Sequence, residues 1–298
     1  MLFSQLVDAF VVAYRGRDTT LAGRLNWWVS ELGTTPVVEI TGDMVDAALM
    51  RLAARGKVHN RLGRGAIATG KPHSTSTLNR YRAALATVLT FAKERRIVPR
   101  AWHRPTDDIP QGPEAPPRET VATAAEIANL IKVARLSAWR KLPCLILLAF
   151  TTGMRRGSLL GLRWRDVDLE AKRLTVARTK NGKPHVAVLT DQAAAELAAI
   201  KPAWVDPSDL VFSGKQQNKA HDYRHSFIKA VADAGLPDTF VFHSLRHSCG
   251  THLARSGAGL LQVADVLAHS NLSTTRRYAH LMIDDRARLV AQHFAAVA

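Results

Sequence analysis

Apolar residues recur at three- and four-residue intervals over most of the chain, the signature of amphipathic helices. The run L-F-S-Q-L-V-D-A-F-V-V-A-Y predicts a helix over 2–14, and a second follows over 20–32 with Trp27 and Trp28. Thr41 reads as an N-cap with Asp43 in the first turn, opening a helix to about Ala54. Ser74 or Ser76 caps a helix over 77–97, whose apolar face carries Leu78, Tyr81, Leu85, Val88, Leu89 and Ala92, with Arg80 and Arg82 off that face and Pro99 as its stop. Between the last two helices, Arg55 to Pro72 keeps neither period. Gly56, Gly63, Gly65 and Gly70 alternate there with Lys57, Arg61, Arg64 and Lys71, which predicts a mobile basic loop.

The pattern breaks at residues 104–118, where Pro105, Pro110, Pro113, Pro116 and Pro117 predict an extended, semi-rigid linker. Beyond it, Thr123 with Glu126 forms a capping-box signal. Helices are predicted over 123–135, 139–152 and 157–164, and Asp166 to Leu169 leads into extended chain. Residues 173–189 alternate in twos around Asn181-Gly182, a strong hairpin turn, with Leu174, Val176, Val186 and Val188 facing inward and Lys180 at the tip. Further helices are expected over 190–200, 221–234, 244–256 and 260–268, with a short strand near 210–212, a turn and short helix over 271–278, and a last amphipathic helix over 283–297. No internal repeat is present. The fold class is therefore mainly α with a small β-hairpin or sheet: a helical domain over 1–104, a linker over 105–120 and an α+β domain over 121–298.

Charge narrows the function. The net charge is +16, divided as +9 over residues 1–105, −3 over 106–120 and +10 over 121–298. Two basic bodies joined by a non-basic linker suit a protein that grips a polyanion from two sides, with Arg61, Arg64, Lys71, Arg80 and Arg82 as candidate DNA contacts in the first. A basic protein kept soluble by its charge is the plainer alternative. Arginines outnumber lysines 29 to 12, which favours phosphate forks but also follows from a GC-rich genome. The two cysteines, Cys144 and Cys249, lack metal-ligand spacing and predict neither zinc nor a disulfide. The longest apolar run, Leu145 to Phe150, is too short to span a bilayer. The N-terminus shows no secretory signal, so a cytoplasmic protein is expected.

Phosphodiester cleavage without a metal requires a nucleophile, donors on the non-bridging oxygens, a base and a leaving-group acid. Five short stretches supply those types: Thr152-Gly153-Met154-Arg155, Lys180, His243-Ser244-Leu245-Arg246-His247, Leu267-Ala268-His269 and Tyr278. Arginine forks suit phosphate oxygens, and a tyrosine ester conserves the energy of the broken bond. Each residue also has an ordinary structural reading, a solvated hairpin lysine or a half-buried helix tyrosine among them. His243 and His247 have the spacing of a zinc pair, but Ser244 breaks the H-E-x-x-H pattern.

In order and spacing, these stretches resemble the phage-integrase family of tyrosine recombinases, down to the nine residues between His269 and Tyr278. The helical first domain is more weakly similar to that family's core-binding domain. The resemblance implies a site-specific DNA recombinase acting on double-stranded DNA through a 3′-phosphotyrosine, without metal, cofactor or ATP. Under it, Tyr278 is the nucleophile, Arg155 and Arg246 clamp the phosphate, His269 donates to it, Lys180 protonates the 5′ oxygen and His243 assists proton transfer. Lys183 competes with Lys180, and His247 reads as helix packing. The resemblance further implies a homotetramer on DNA, monomeric or dimeric when free, with a tail that docks on a neighbouring subunit. It implies accessory DNA-bending or directionality proteins and a bacterial or phage-encoded source. A separate arm-binding domain is not expected. Two positions depart from the family pattern. Ser158 replaces an acidic brace for Arg155, leaving Asp166 or Asp168 to hold it, and Ala268 replaces a glycine, at a cost if φ is positive. The rival readings are a type IB-like topoisomerase and a non-catalytic DNA-binding protein of the same fold.

Overall fold

The structure, a computed structural model, describes residues 1–61, 65–115, 120–176, 184–214 and 219–282, with side chains left out over 59–68. The chain divides into two compact units, Met1–Pro117 and Arg118–Ala298. Among the described residues no helix is long and apolar enough to cross a membrane.

The first unit packs α1 (Phe3–Ala13), α2 (Leu21–Leu32), α3 (Gly42–Arg55) and α4 (Thr75–Glu94) around Phe3, Leu6, Leu25, Trp28, Leu85 and Leu89, all fully buried. Burying Trp28 requires a partner for its N–H, and Nε1 donates to the Tyr81 carbonyl at 2.8 Å. Thr41 Oγ1 accepts from Met44 N as an N-cap, and Ser74, rather than Ser76, does the same for Thr77 N. Helix α4 ends at Glu94, before Pro99, where Arg96 takes a left-handed φ of 55°.

Two expectations change in this unit. The stretch from Arg55 to Pro72 contains an antiparallel hairpin, β1 (Val58–Arg61) with β2 (Gly65–Ala68), in register Val58↔Ala68. The ladder continues past its base, Lys57 N donating to Lys71 O and Thr69 N to Lys57 O. Backbone bonds supply this pairing, so no apolar alternation announced it. The first part of the expected linker is docked instead of extended. Residues Pro105–Asp107 form a 3-10 turn, Ile109 joins the core, and the Asn79 amide brackets Gly112 at 2.9 and 3.1 Å.

The second unit is built on α6 (Leu142–Thr152), buried along nearly its whole length and packed against α5 (Ala124–Ala134), α8 (Asp191–Ile200) and α10 (Phe242–Arg255). Thr123 and Glu126 form the reciprocal capping box. After α6 come α7 (Arg156–Leu160), shorter than the periodicity predicts, and a 3-10 turn over Trp164–Asp166. A three-stranded antiparallel sheet follows: β3 (Val167–Asp168), β4 (Arg173–Val176) and β5 (His185–Val188). The inward face of β5 is the opposite of the expected one. Ala187 and Leu189 are buried, whereas Val186 and Val188 are 52% and 73% exposed. Leu174 pairs with Ala187, and a cross-strand pair shares one face, so Leu174 dictates which residues of β5 turn inward. Residues 210–212 form no strand, only a bridge between Arg163 and Leu210. Helices α9 (Arg224–Asp233) and α11 (Leu260–Val266) and 3-10 turns over Leu272–Thr274 and Arg276–Met282 complete the unit. The expected hairpin tip with Lys180 and nearby Lys183, Arg64 in the first unit, and the expected helix over 283–297 lie outside the described residues.

Candidate active site

The site lies in the second unit and is organised by two tight turns. At the first, α6 ends on Gly153, whose φ of +59° closes the helix and redirects the chain so that Arg155 caps α7. Only glycine fits there: a Cβ would sit 2.3 Å from the Leu267 side chain and 3.2 Å from Cys249 Sγ. At the second turn, α11 ends at Val266 and the chain turns on Ala268. Ala268 N donates to Asp265 O at 2.8 Å and His269 N to Ala264 O at 2.9 Å, a C-terminal lock with Ala268 at φ 47°.

These turns fasten the two arginines. Arg246, on α10 and 5% exposed, donates through Nη1 to the Gly153 carbonyl and through Nη2 to the Leu267 carbonyl, both at 2.5 Å. Arg155 donates through Nη1 to the next carbonyl, Ala268, at 3.1 Å. Neither expected aspartate braces Arg155: Asp166 accepts from Arg163 N, and Asp168 accepts from Ala171 N and pairs with Arg173. Carbonyls orient both guanidiniums without neutralising them. Burial, then the nearby Arg155, brings Arg246 down to about 10, and burial lowers Arg155. At neutral pH two cations thus share a half-enclosed place, an arrangement that favours an anion.

The same turn presents His269. Its Nδ1 lies 2.8 Å from the Oγ1 of fully buried Thr275, which leaves Nε2 for a ligand. Burial and then Arg246, Arg155 and Arg277 bring His269 down to about 4, so it is neutral at pH 7 and can donate through Nε2.

Tyr278 lies on the following 3-10 turn, 4% exposed, its ring against Gly250 of α10. Its Oη is 3.2 Å from His247 Nδ1. His247, which the sequence reading treats as packing, is therefore the histidine at the phenol. His243 meets His247 edge to face, with centroids 4.7 Å apart, and lines a groove with Arg155 and Arg156. Burial raises the Tyr278 hydroxyl above its ordinary value, and Arg277 and Arg246 oppose that rise. Sequence reasoning also missed His185 on β5, half-buried and near Arg246, Arg155 and Asp265. Its only sequence signal is its place at the base of the hairpin expected over 173–189.

The structure thus brings together Arg155, Arg246, His243, His269 and Tyr278. Of the candidate DNA contacts, Lys71 and Arg80 are exposed on the first unit, Arg61 lies on β1, and Arg82 donates to the Thr106 carbonyl. Arg80 shares a cleft with Arg24, Arg55, His73 and Tyr81.

Comparison with known proteins gives a consistent picture. The model of the phage integrase family matches residues 120–284. The type 1 fimbriae regulatory protein FimE of Escherichia coli is 35% identical over 45% of this chain and 72% of its own length. Tyrosine recombinase XerC of Mesorhizobium japonicum is 28% identical over 72% of this chain and 70% of its own. Among solved structures, the Tn1549 transposon integrase in complex with circular intermediate DNA aligns with a TM-score of 0.68 at 18% identity, covering 93% of this chain and 95% of that one. A lambda integrase dimer bound to a core site aligns with 0.69 at 18% identity and the same coverages. These last two likenesses are of fold.

Proposed function

The chain belongs to the phage integrase family, the tyrosine recombinases that break and rejoin DNA strands, and we propose on that premise that Tyr278 is its nucleophile. The observation that carries this reading is the fastening of Arg246 and Arg155 to the consecutive carbonyls of Leu267 and Ala268. Two residues far apart in sequence are thereby aimed at one place, with His269 next in the chain and Tyr278 on the following turn.

In the proposed reaction, Tyr278 Oη attacks the scissile phosphorus and the bond to the 5′ oxygen breaks. The products are a 3′-phosphotyrosine and a 5′-hydroxyl. The N–H groups of Arg155 and Arg246 not engaged by carbonyls hold the non-bridging oxygens, and neutral His269 adds a donor through Nε2. Lys180 protonates the departing oxygen, and His243, on the rim of the groove with Arg155, takes part in moving the phenol proton. The ester retains the energy of the broken bond, so attack by a 5′-hydroxyl of the partner strand rejoins DNA without ATP.

The DNA partner is supported by the positive charge of both units and by the two integrases of like fold solved on DNA. The first unit contributes backbone contacts through exposed Lys71 and Arg80, with Arg61 and Arg64 as further candidates from the sequence. One tyrosine per strand and four strands per exchange call for four protomers, so the working form is a homotetramer on DNA, with accessory proteins setting direction. A nicked duplex carrying the recombination site tests the core of the proposal. The parent should trap a covalent complex in chelator, and Tyr278→Phe should bind the duplex yet trap none. A covalent complex with the phenylalanine variant would sink the assignment.

A further inference from the structure

The assignment above leaves His247 without a task, yet its surroundings are not those of a packing residue. Its Nδ1 stands 3.2 Å from Tyr278 Oη. Three features create that approach. Gly250 lies nearly one turn further along α10, and a Cβ there would come within 2.5 Å of Tyr278 Cζ and 2.8 Å of Oη. The bare backbone therefore lets the phenol lie directly on the helix and reach back one turn. Tyr278 N donates to Thr275 O at 2.9 Å, which holds the tyrosine backbone above that spot. The His243 ring packs edge to face on His247 at an interplanar angle of 87°, which fixes the plane of the imidazole.

We propose that His247 is a positioning residue for the nucleophile: its Nδ1, with the ring proton on Nε2, accepts the hydrogen bond of the Tyr278 hydroxyl and sets the direction in which the oxygen lone pairs face the phosphate. The inference rests on Tyr278 being the nucleophile. An unrestrained phenol O–H rotates about its C–O bond, and near a phosphate it donates to a phosphoryl oxygen, which turns its lone pairs away from phosphorus. An acceptor on the α10 side removes that competing state. The imidazole is suited to accept because burial, His243, Arg277 and Arg246 keep it neutral at pH 7.

The test compares three full-length variants in single-turnover cleavage of the nicked duplex, each with its DNA half-saturation and thermal unfolding measured. His247→Asn places an amide oxygen near the site of Nδ1. His247→Gln carries its amide beyond that site, and His247→Leu keeps bulk without an acceptor. Cleavage should slow roughly tenfold or more in the leucine and glutamine variants, the loss of about one good hydrogen bond. The asparagine variant should stay within about threefold of the parent, and half-saturation should be unchanged in all three. A leucine variant that cleaves at the parental rate overturns the proposal, as does an asparagine variant as slow as glutamine. That second comparison decides the matter even if the leucine variant does not fold. Tyr278→Phe, run in parallel, tests the nucleophile alone, so failure of that reading is seen separately from failure of this one.

Discussion

At the scale of single residues, Ala268 and Gly250 are the positions where the backbone constrains the chemistry most. Ala268 holds a φ of 47°, a conformation in which a Cβ crowds the following carbonyl. The strain is retained because the turn delivers the Leu267 and Ala268 carbonyls to Arg246 and Arg155. Ala268→Gly should therefore raise stability by about 1 kcal/mol, read as a higher urea midpoint with an unchanged slope. A lower midpoint would mean that the turn is not strained. Gly250 presents the opposite case, an absent side chain that leaves room for Tyr278. Gly250→Ala should push the phenol off α10 and slow covalent-complex formation roughly a hundredfold, as expected for a nucleophile displaced by about 1 Å, while DNA binding is retained. Parental cleavage by this variant would show that the ring does not depend on the bare helix.

At the scale of elements, β5 shows how a correct periodicity can carry the wrong phase. Val186 and Val188 alternate with Ala187 and Leu189, and all four are apolar, so the pattern alone does not choose a face. The choice is made across the ladder, where Leu174 opposes Ala187 in the core. Ala187→Asp should cost several kcal/mol by burying an unpaired charge, and Val188→Thr about 0.5 kcal/mol or less. The reverse ranking in thermal unfolding would return β5 to its expected face. Caps at Thr41, Ser74 and Thr123 were legible because a cap is a local event between residues three apart. The hairpin over Val58–Ala68 was not, because its arms, V-H-N-R and G-A-I-A, carry no apolar–polar alternation. In the site, the candidate side chains could be named from their order and spacing, but their supports could not. Main-chain carbonyls hold Arg155 and Arg246, and carbonyls leave no mark in a sequence. The role of His247 depends on a phenol 31 residues away, and Gly250 on the same helix face was its one visible sign.

At the scale of the whole molecule, the site gathers positive charge around histidines, and this makes stability depend on pH. Burial and the neighbouring arginines bring His247 and His269 to about 4 in the folded chain, and the same causes lower His243 and His185. In the unfolded chain all four return toward about 6.5. Between those values the unfolded state binds more protons than the folded one, so stability rises with pH across the window. The contribution is complete above about pH 6.5 and is lost as pH falls toward about 4. Urea unfolding at pH 7, 6 and 5 should show a falling midpoint, with a slope of up to about 1.4 kcal/mol per pH unit for each proton taken up. Replacing both His247 and His269 with asparagine should flatten that slope, since neither replacement titrates. A midpoint that rises on acidification, or a slope indifferent to the double replacement, would show that these imidazoles are not held neutral in the fold. A duplex bound at the arginines should flatten the slope as well, because its phosphate offsets the cations that help to keep the histidines neutral.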